Sequence, residues 1–426
     1  MSKRRLIIIA AALLLMTLLA YALLLNPVFQ EKLGWYLSQW AGRLRMWFDP
    51  PQQVSFSGDG TLEASADESQ PEFLTPEPES GLPAGTPAPT YAPIPQAFNI
   101  EGGRYFSQHN RWNYCGPSNL AMLLSYWGWE GTHDEVARAV RTYSKDKNIM
   151  PYELKAFAEE NANINVLVRV GGSLELLKQF IAAGFPVMVE KGPQFRDIHY
   201  HITWMGHYQV MSGYDDVQGH FIAQDSYIEA NYKQAYEPFL DEWRSFNYLY
   251  MVAYPDHLEN DVLNLLGSDL DEEQNYRNTL KKAQEEIYQL EGDDQFFAMF
   301  NYGSNLAKLR DYEGAASAYD QAFVMYDNLP KESTVPYRIL WYQTGPFMAY
   351  YYTGRYMDVI TMATRNSIEM VRDDEPALEE SYYWRGMSKV AIGDREGGVK
   401  DFNTCLYYHR NFPPCVEALN KLGIYP

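Results

Sequence analysis

Residues Leu6 to Leu25 form an apolar run broken only by Thr17, and Lys3, Arg4 and Arg5 stand just before it. At 1.5 Å per residue, a helix of that length is about 30 Å long, the thickness of a bilayer core. The cationic flank stays inside, so the rest of the chain is expected outside the cytoplasm, tied to the cell membrane by a single span. The small-residue site Ala20-Tyr21-Ala22 lies within the run, which is longer than the apolar core of a cleaved leader. Residues 1–28 therefore read as an anchor, with a signal peptide as the other reading. In residues 29–48, Phe29, Leu33, Tyr36, Leu37, Trp40, Leu44 and Trp47 recur at helical spacing among Lys32, Arg43 and Arg45. Tryptophan beside cations suits an amphipathic juxtamembrane helix.

The composition then changes. Between Pro50 and Ile100 there are ten prolines, seven acids and no Lys or Arg. Such a stretch buries too little apolar surface to offset its chain entropy, so residues 49–97 are expected to be a disordered, Pro- and acid-rich linker. Over the whole chain, 35 basic residues face 55 acidic ones, a formal charge of −20. That balance excludes the basic face a nucleic-acid binder needs. Three cysteines in 426 residues exclude a disulfide framework.

From Phe98 periodicity returns. Thr132 with Glu135 fits a capping box, Pro151 fits the first turn of a helix, and residues 173–184 form a helical pattern closed by Gly184. Residues 164–170, 186–190, 208–214, 220–225 and 249–254 read as strands, with Asp215, Asp216 and Gly219 marking a hairpin turn. Helices followed by an antiparallel sheet predict an α+β domain over residues 98–256.

The chemistry lies where the two patterns meet. Cys115-Gly116-Pro117 opens an apolar helical run, which places the thiol at a helix N-terminus, where free amides and the dipole favour a thiolate. His207 opens the strand 208–214 and Asp225 ends the next one, 18 residues on. If these strands form a hairpin, the two ends meet, and the carboxylate orients the imidazole. His199 and His201 lack further ligands at metal spacing, so no metal or cofactor is expected.

The segments NYCGPSNLAMLLSYWGW, GHYQVMSGYDD and IAQDSY, in that order, resemble the papain-like cysteine peptidases of the bacteriocin-processing, double-glycine leader peptidase type. The resemblance covers residues 98–256. It implies an α+β papain-like peptidase fold with Cys115 as nucleophile, His207 as general base and acid, and Asp225 as orienter. It also implies a glutamine that stabilises the oxyanion. Gln108, seven residues before the cysteine, takes that role, with Asn113 as the fallback donor.

Residues 257–295 read as an acidic helical connector. From Phe296 the chain repeats. Gly303, Tyr312, Ala315, Tyr319 and Ala322 are spaced as in a tetratricopeptide repeat, and Gly354-Arg355-Tyr356 and Gly386 with Phe402 mark two further copies. Three copies with a capping helix at 413–424 predict an all-α repeat solenoid over 296–426, whose concave face binds a protein or peptide partner. Tyr350, Tyr351, Tyr352, Tyr382 and Tyr383 either line that face or fill the core. Cys405 and Cys415 form a disulfide or remain two thiols.

The combined expectation is a bacterial, membrane-anchored, outward-facing cysteine peptidase-like protein. It hydrolyses a peptide or isopeptide bond, and its repeats recruit a protein. Two alternatives stand beside it: an adaptor in which both domains only bind, and a transglutaminase-like acyl transferase.

Overall fold

The computed structural model describes residues 27–48, 55–56, 93–109, 111, 113–196, 202–330, 338–371 and 374–426. The apolar run, most of the proline-rich linker, and His199 and His201 lie outside the described residues. None of the helices among the described residues is long and apolar enough to cross a membrane.

The chain divides into two compact units. The smaller holds helix α1 (Pro27–Phe48), and the hairpin β4 (Gln194–Arg196) with β5 (Ile202–Trp204) packs on that helix. Tyr36, Leu37, Trp40 and Phe48 of α1 are exposed.

The larger unit spans Val54–Pro193 and Gly206–Pro426. Its first part contains β1 (Ala97–Asn99), α2 (Cys115–Ser125), α3 (His133–Val140), α4 (Pro151–Asn161), β2 (Asn165–Arg169), α5 (Leu174–Ala182) and β3 (Val187–Lys191). It continues with β6 (His207–Asp215), β7 (His220–Gln224), β8 (Tyr232–Ala235), α6 (Tyr236–Arg244) and β9 (Tyr250–Tyr254). The strands form one antiparallel sheet in the order β2-β9-β3-β6-β7-β8, with β1 also paired to β6. This is an α+β domain with helices on both faces.

Alternation along the strands sorts the two cores. Met188, Tyr208, Val210, Met251 and Ala253 point to the layer of α2 and α4, where Leu120, Leu123, Leu124 and Leu154 are fully buried. Val187, Val189, Met211, Tyr250 and Val252 point to the opposite layer, against Leu177, Phe180, Phe239 and Trp243. Helix α2 is buried from Gly116 to Ser125. A helix enclosed this way is fixed in rotation as well as position, because each buried Leu contributes about 2 kcal/mol of apolar burial.

Helices α7 (Glu259–Leu266), α8 (Glu272–Gln289), α9 (Gly292–Lys308), α10 (Tyr312–Asp327), α11 (Ile339–Tyr342), α12 (Gly345–Tyr352), α13 (Tyr356–Arg365), α14 (Glu379–Ala391), α15 (Arg395–Tyr408) and α16 (Pro413–Lys421) complete the unit as a mostly helical region. They pack as pairs. A Cβ on Gly303 would meet the Tyr319 ring at 3.1 Å, and one on Gly386 would meet Phe402 at 2.7 Å, so both glycines stand where paired helices touch. Tyr350 and Tyr382 are buried, whereas Tyr352 is exposed. Cys405 and Cys415 form a disulfide with Cα atoms 6.6 Å apart.

Two findings depart from the expected layout of linker and connector. Ser55 and Phe56, inside the stretch read as a disordered tether, are docked on the helices. Phe56 is buried and stacks on Phe323 at 4.8 Å, while the Asn366 side-chain amide donates to the Ser55 carbonyl at 2.8 Å. An aromatic residue in a proline-rich stretch finds a pocket that composition does not reveal. The α8 segment also packs on the sheet domain: Asn275 exchanges hydrogen bonds with the Val170 backbone, and Lys282 donates to the Gly172 carbonyl at 2.9 Å.

Candidate active site

Cys115 is the first residue of α2, which begins on Tyr114 and receives its first-turn bond from the Ser118 amide to the Tyr114 carbonyl at 2.9 Å. It is the free cysteine of the chain, since the other two are paired. The buried Asn119 locks this helix end to the sheet. Its amide nitrogen donates to the Cys115 carbonyl at 2.9 Å, the Tyr208 carbonyl at 2.7 Å and the Ser226 hydroxyl at 2.9 Å.

The β6–β7 hairpin, with Asp215 opposite His220 and Gly219 in the left-handed region, brings together the two ends that sequence places 18 residues apart. His207 Nε2 lies 3.0 Å from Asp225 Oδ1, and both residues are buried. Asp225 Oδ1 also accepts from the amides of Tyr227 at 2.8 Å and Ile228 at 2.9 Å, and Oδ2 accepts from Gln209 Nε2 at 2.9 Å. With Nε2 committed to Asp225, Nδ1 is the nitrogen left for the Cys115 thiol, which hydrogen-bonds the ring. The structure thus brings His207 and Asp225 together, with Cys115 beside the ring.

The charges follow from this geometry. Burial alone would lower the His207 pKa. The Asp225 carboxylate and its hydrogen bond, joined by the Cys115 sulfur, reverse that and push it up to about 9. Burial would conversely raise Asp225, but His207 and Lys191 hold it below the usual carboxylate range. At neutral pH the ring is an imidazolium clamped between sulfur and carboxylate. The raised His207 pKa keeps a proton on the ring beside the Asp225 carboxylate.

Gln108 is at the site, but its oxygen end is taken. Gln108 Oε1 accepts from the Ser226 hydroxyl at 2.6 Å, and its backbone amide donates to the Ser226 carbonyl at 2.8 Å. Its amide nitrogen is the end available as a donor. Asn113, in the left-handed region at φ 55°, spends its amide on the Asp146 carbonyl instead.

Sequence reasoning missed four contributors. Glu190 is buried beside Cys115; burial first, and then the charge of that sulfur, raises its carboxyl well above the ordinary range. Lys191, paired in register with His207, is buried with its ammonium on Gln234 at 2.8 Å and Glu242 at 2.7 Å. Gln209 supports Asp225. Tyr342 comes from the helical region, and its ring lies against Gly206, the residue before His207. Alternation along β6 points Gln209 to the His207 face, a signal that sequence offers; for Tyr342 there was none. Metal ligation has one candidate set among the described residues, Glu153, Glu379 and His409, with donors within 4.8 Å of one another. There His409 Nδ1 already pairs with Glu379 at 2.8 Å.

Residues 100–251 match a family model described as Peptidase_C39 like family. Among solved structures, a candidate C39-like peptidase from Bacillus anthracis is similar at 17% identity, covering 37% of this chain and 96% of that one, with a TM-score of 0.32. No curated protein sequence matches the chain. The family match ends at residue 251, so the repeat reading of the helices stands on their pairing alone. Within this chain, residues 100–251 are a Peptidase_C39-like domain.

Proposed function

We propose that this chain is a cysteine peptidase that cleaves a peptide or isopeptide bond outside the cytoplasm, held to the membrane by residues 1–28. The observation that carries the reading is the buried His207–Asp225 pair at 3.0 Å with the half-buried Cys115 beside the ring at the N-terminus of α2. Cys115 Sγ attacks the carbonyl carbon and forms a C–S bond, and the carbonyl electrons move onto oxygen. The oxyanion takes hydrogen bonds from the Cys115 backbone amide at the α2 N-terminus and from the Gln108 amide nitrogen. When the tetrahedral intermediate collapses, the C–N bond breaks and His207 gives its proton to the departing amine. A water then attacks the thioester, with His207 taking its proton, and releases the acid and the thiolate.

The Cys405–Cys415 disulfide supports an oxidising compartment. The helical pairs after residue 296 fit a divergent tetratricopeptide array that holds a protein or peptide partner. The test is the rate of iodoacetamide alkylation of Cys115 in the full chain between pH 4 and 10, beside His207→Ala. Alkylation that is fast near neutral pH and slows at least tenfold without His207 supports the reading. An ordinary rate indifferent to His207 refutes it and leaves the binding-adaptor alternative.

A further inference from the structure

The short segment Trp341-Tyr342-Gln343 crosses the end of the sheet where β6 begins. On one side, the buried Asn148, in the loop before α4, donates its side-chain amide to the Trp341 carbonyl. On the other side, Gln343 Nε2 donates to the Ser245 carbonyl at 2.6 Å, at the end of α6. These two anchors belong to the layers on opposite faces of the sheet. Between them the Tyr342 ring fills the space beside Gly206: a Cβ there would meet ring carbons at 2.7 and 2.8 Å. Only glycine fits at that approach. The ring packs on Phe246 at 5.9 Å, and Gly206 directly precedes His207.

A substrate chain that ran straight past Cys115 needs open space on both sides of the sulfur. Here the space beside Gly206, next to His207, is spanned by a strap tied at both ends. Building on the peptidase reading above, we propose that Trp341-Tyr342-Gln343 is an end wall of the Cys115 site, and that the substrate is the terminus of a peptide chain rather than its interior. The helical region then completes the site as well as flanking it.

The test uses the full chain and two epoxysuccinyl probes. One carries a dipeptide on a single carboxyl and can enter in either direction; the other carries dipeptides on both. In each, Cys115 sulfur attacks an epoxide carbon, the C–O bond opens, and the imidazolium protonates the alkoxide. The one-sided probe is expected to label wild type at least tenfold faster than the two-sided probe. Tyr342→Ala is expected to raise the two-sided rate at least tenfold and leave the one-sided rate within threefold. Tyr342→Phe keeps the ring and is expected to behave as wild type. Should Tyr342→Ala fail to fold, Asn148→Ala, which unhooks Trp341, is read in the same way. Equal rates for the two probes on wild type overturn the end wall. So does a failure of both probes while iodoacetamide alkylation remains His207-dependent. Loss of that His207 dependence overturns the peptidase reading instead, so the two failures are distinct.

Discussion

Replacing Asp225 by Asn removes one charge from a buried site and leaves its shape nearly unchanged. In the wild type, His207 titrates at about 9 in the folded state and at about 6.5 unfolded. A group whose folded pKa is raised stabilises the fold fully below the unfolded value, and the benefit drains away as pH rises through the folded value. The interval is about 2.5 pH units, so at ~1.36 kcal/mol per unit the imidazolium contributes about 3 kcal/mol that is present at pH 6 and absent by pH 10. In Asp225→Asn the attraction is gone and burial, which opposes charge on the ring, decides. The folded pKa is then expected to fall well below the wild-type value, and most of the loss of stability above pH 6.5 goes with it. Glu190, Cys115 and Lys191 bear on the same site in both proteins and so cancel in the comparison. Urea unfolding of each protein at pH 6.5, 7.5 and 9.5 measures the difference. The wild-type curve should fall about 3 kcal/mol further than the variant's across that range. Parallel curves would refute the claim that Asp225 holds the proton on His207.

Asn119→Ala strips one donor from three buried acceptors, the Cys115 and Tyr208 carbonyls and the Ser226 hydroxyl. The expected cost is about 3 kcal/mol, measured by urea denaturation, with slower Cys115 alkylation as the helix end loosens; an unchanged midpoint contradicts the lock. Phe56→Ala removes a buried ring stacked on Phe323. It should cost about 2 kcal/mol and make the chain near Ser55 a new site of limited proteolysis. Identical digestion of both proteins would show that the docking does not hold.

Much of the α+β domain was legible because its elements advertise themselves locally. Pro151 opens α4, Gly184 follows α5 in the left-handed region, and Asp215 to Gly219 turn β6 into β7. That hairpin also made His207 and Asp225 legible, since its geometry alone brings the strand ends together. The remaining groups of the site depend on contacts that no local pattern encodes. Glu190 and Lys191 read as the polar end of a strand, yet both are buried. The three residues of β1 lie at the tail of a proline-rich stretch and are ordered by pairing with Gly213, Tyr214 and Asp215. Helix α11 has four residues, below the length at which periodicity carries a signal.

The same long-range contacts bear on what the helices after residue 256 are for. Lys147 donates its amide to the Ala377 carbonyl at 3.3 Å and pairs with Asp374, and Asn301 caps the Arg244 carbonyl at 2.8 Å. Asn247 takes Asn305 across another buried contact at 2.8 Å. Removing the helices would leave these polar groups without partners in surfaces built to be dry, a cost of roughly 1–3 kcal/mol each. A repeat array joined only by a flexible linker would carry no such debt. The loop from Lys147 to Ile149 takes one bond from each side: Tyr208 of β6 donates to the Ile149 carbonyl at 2.9 Å, while Trp341 receives Asn148. A shift of the helices would therefore pull on a loop bonded to β6, the strand that carries His207.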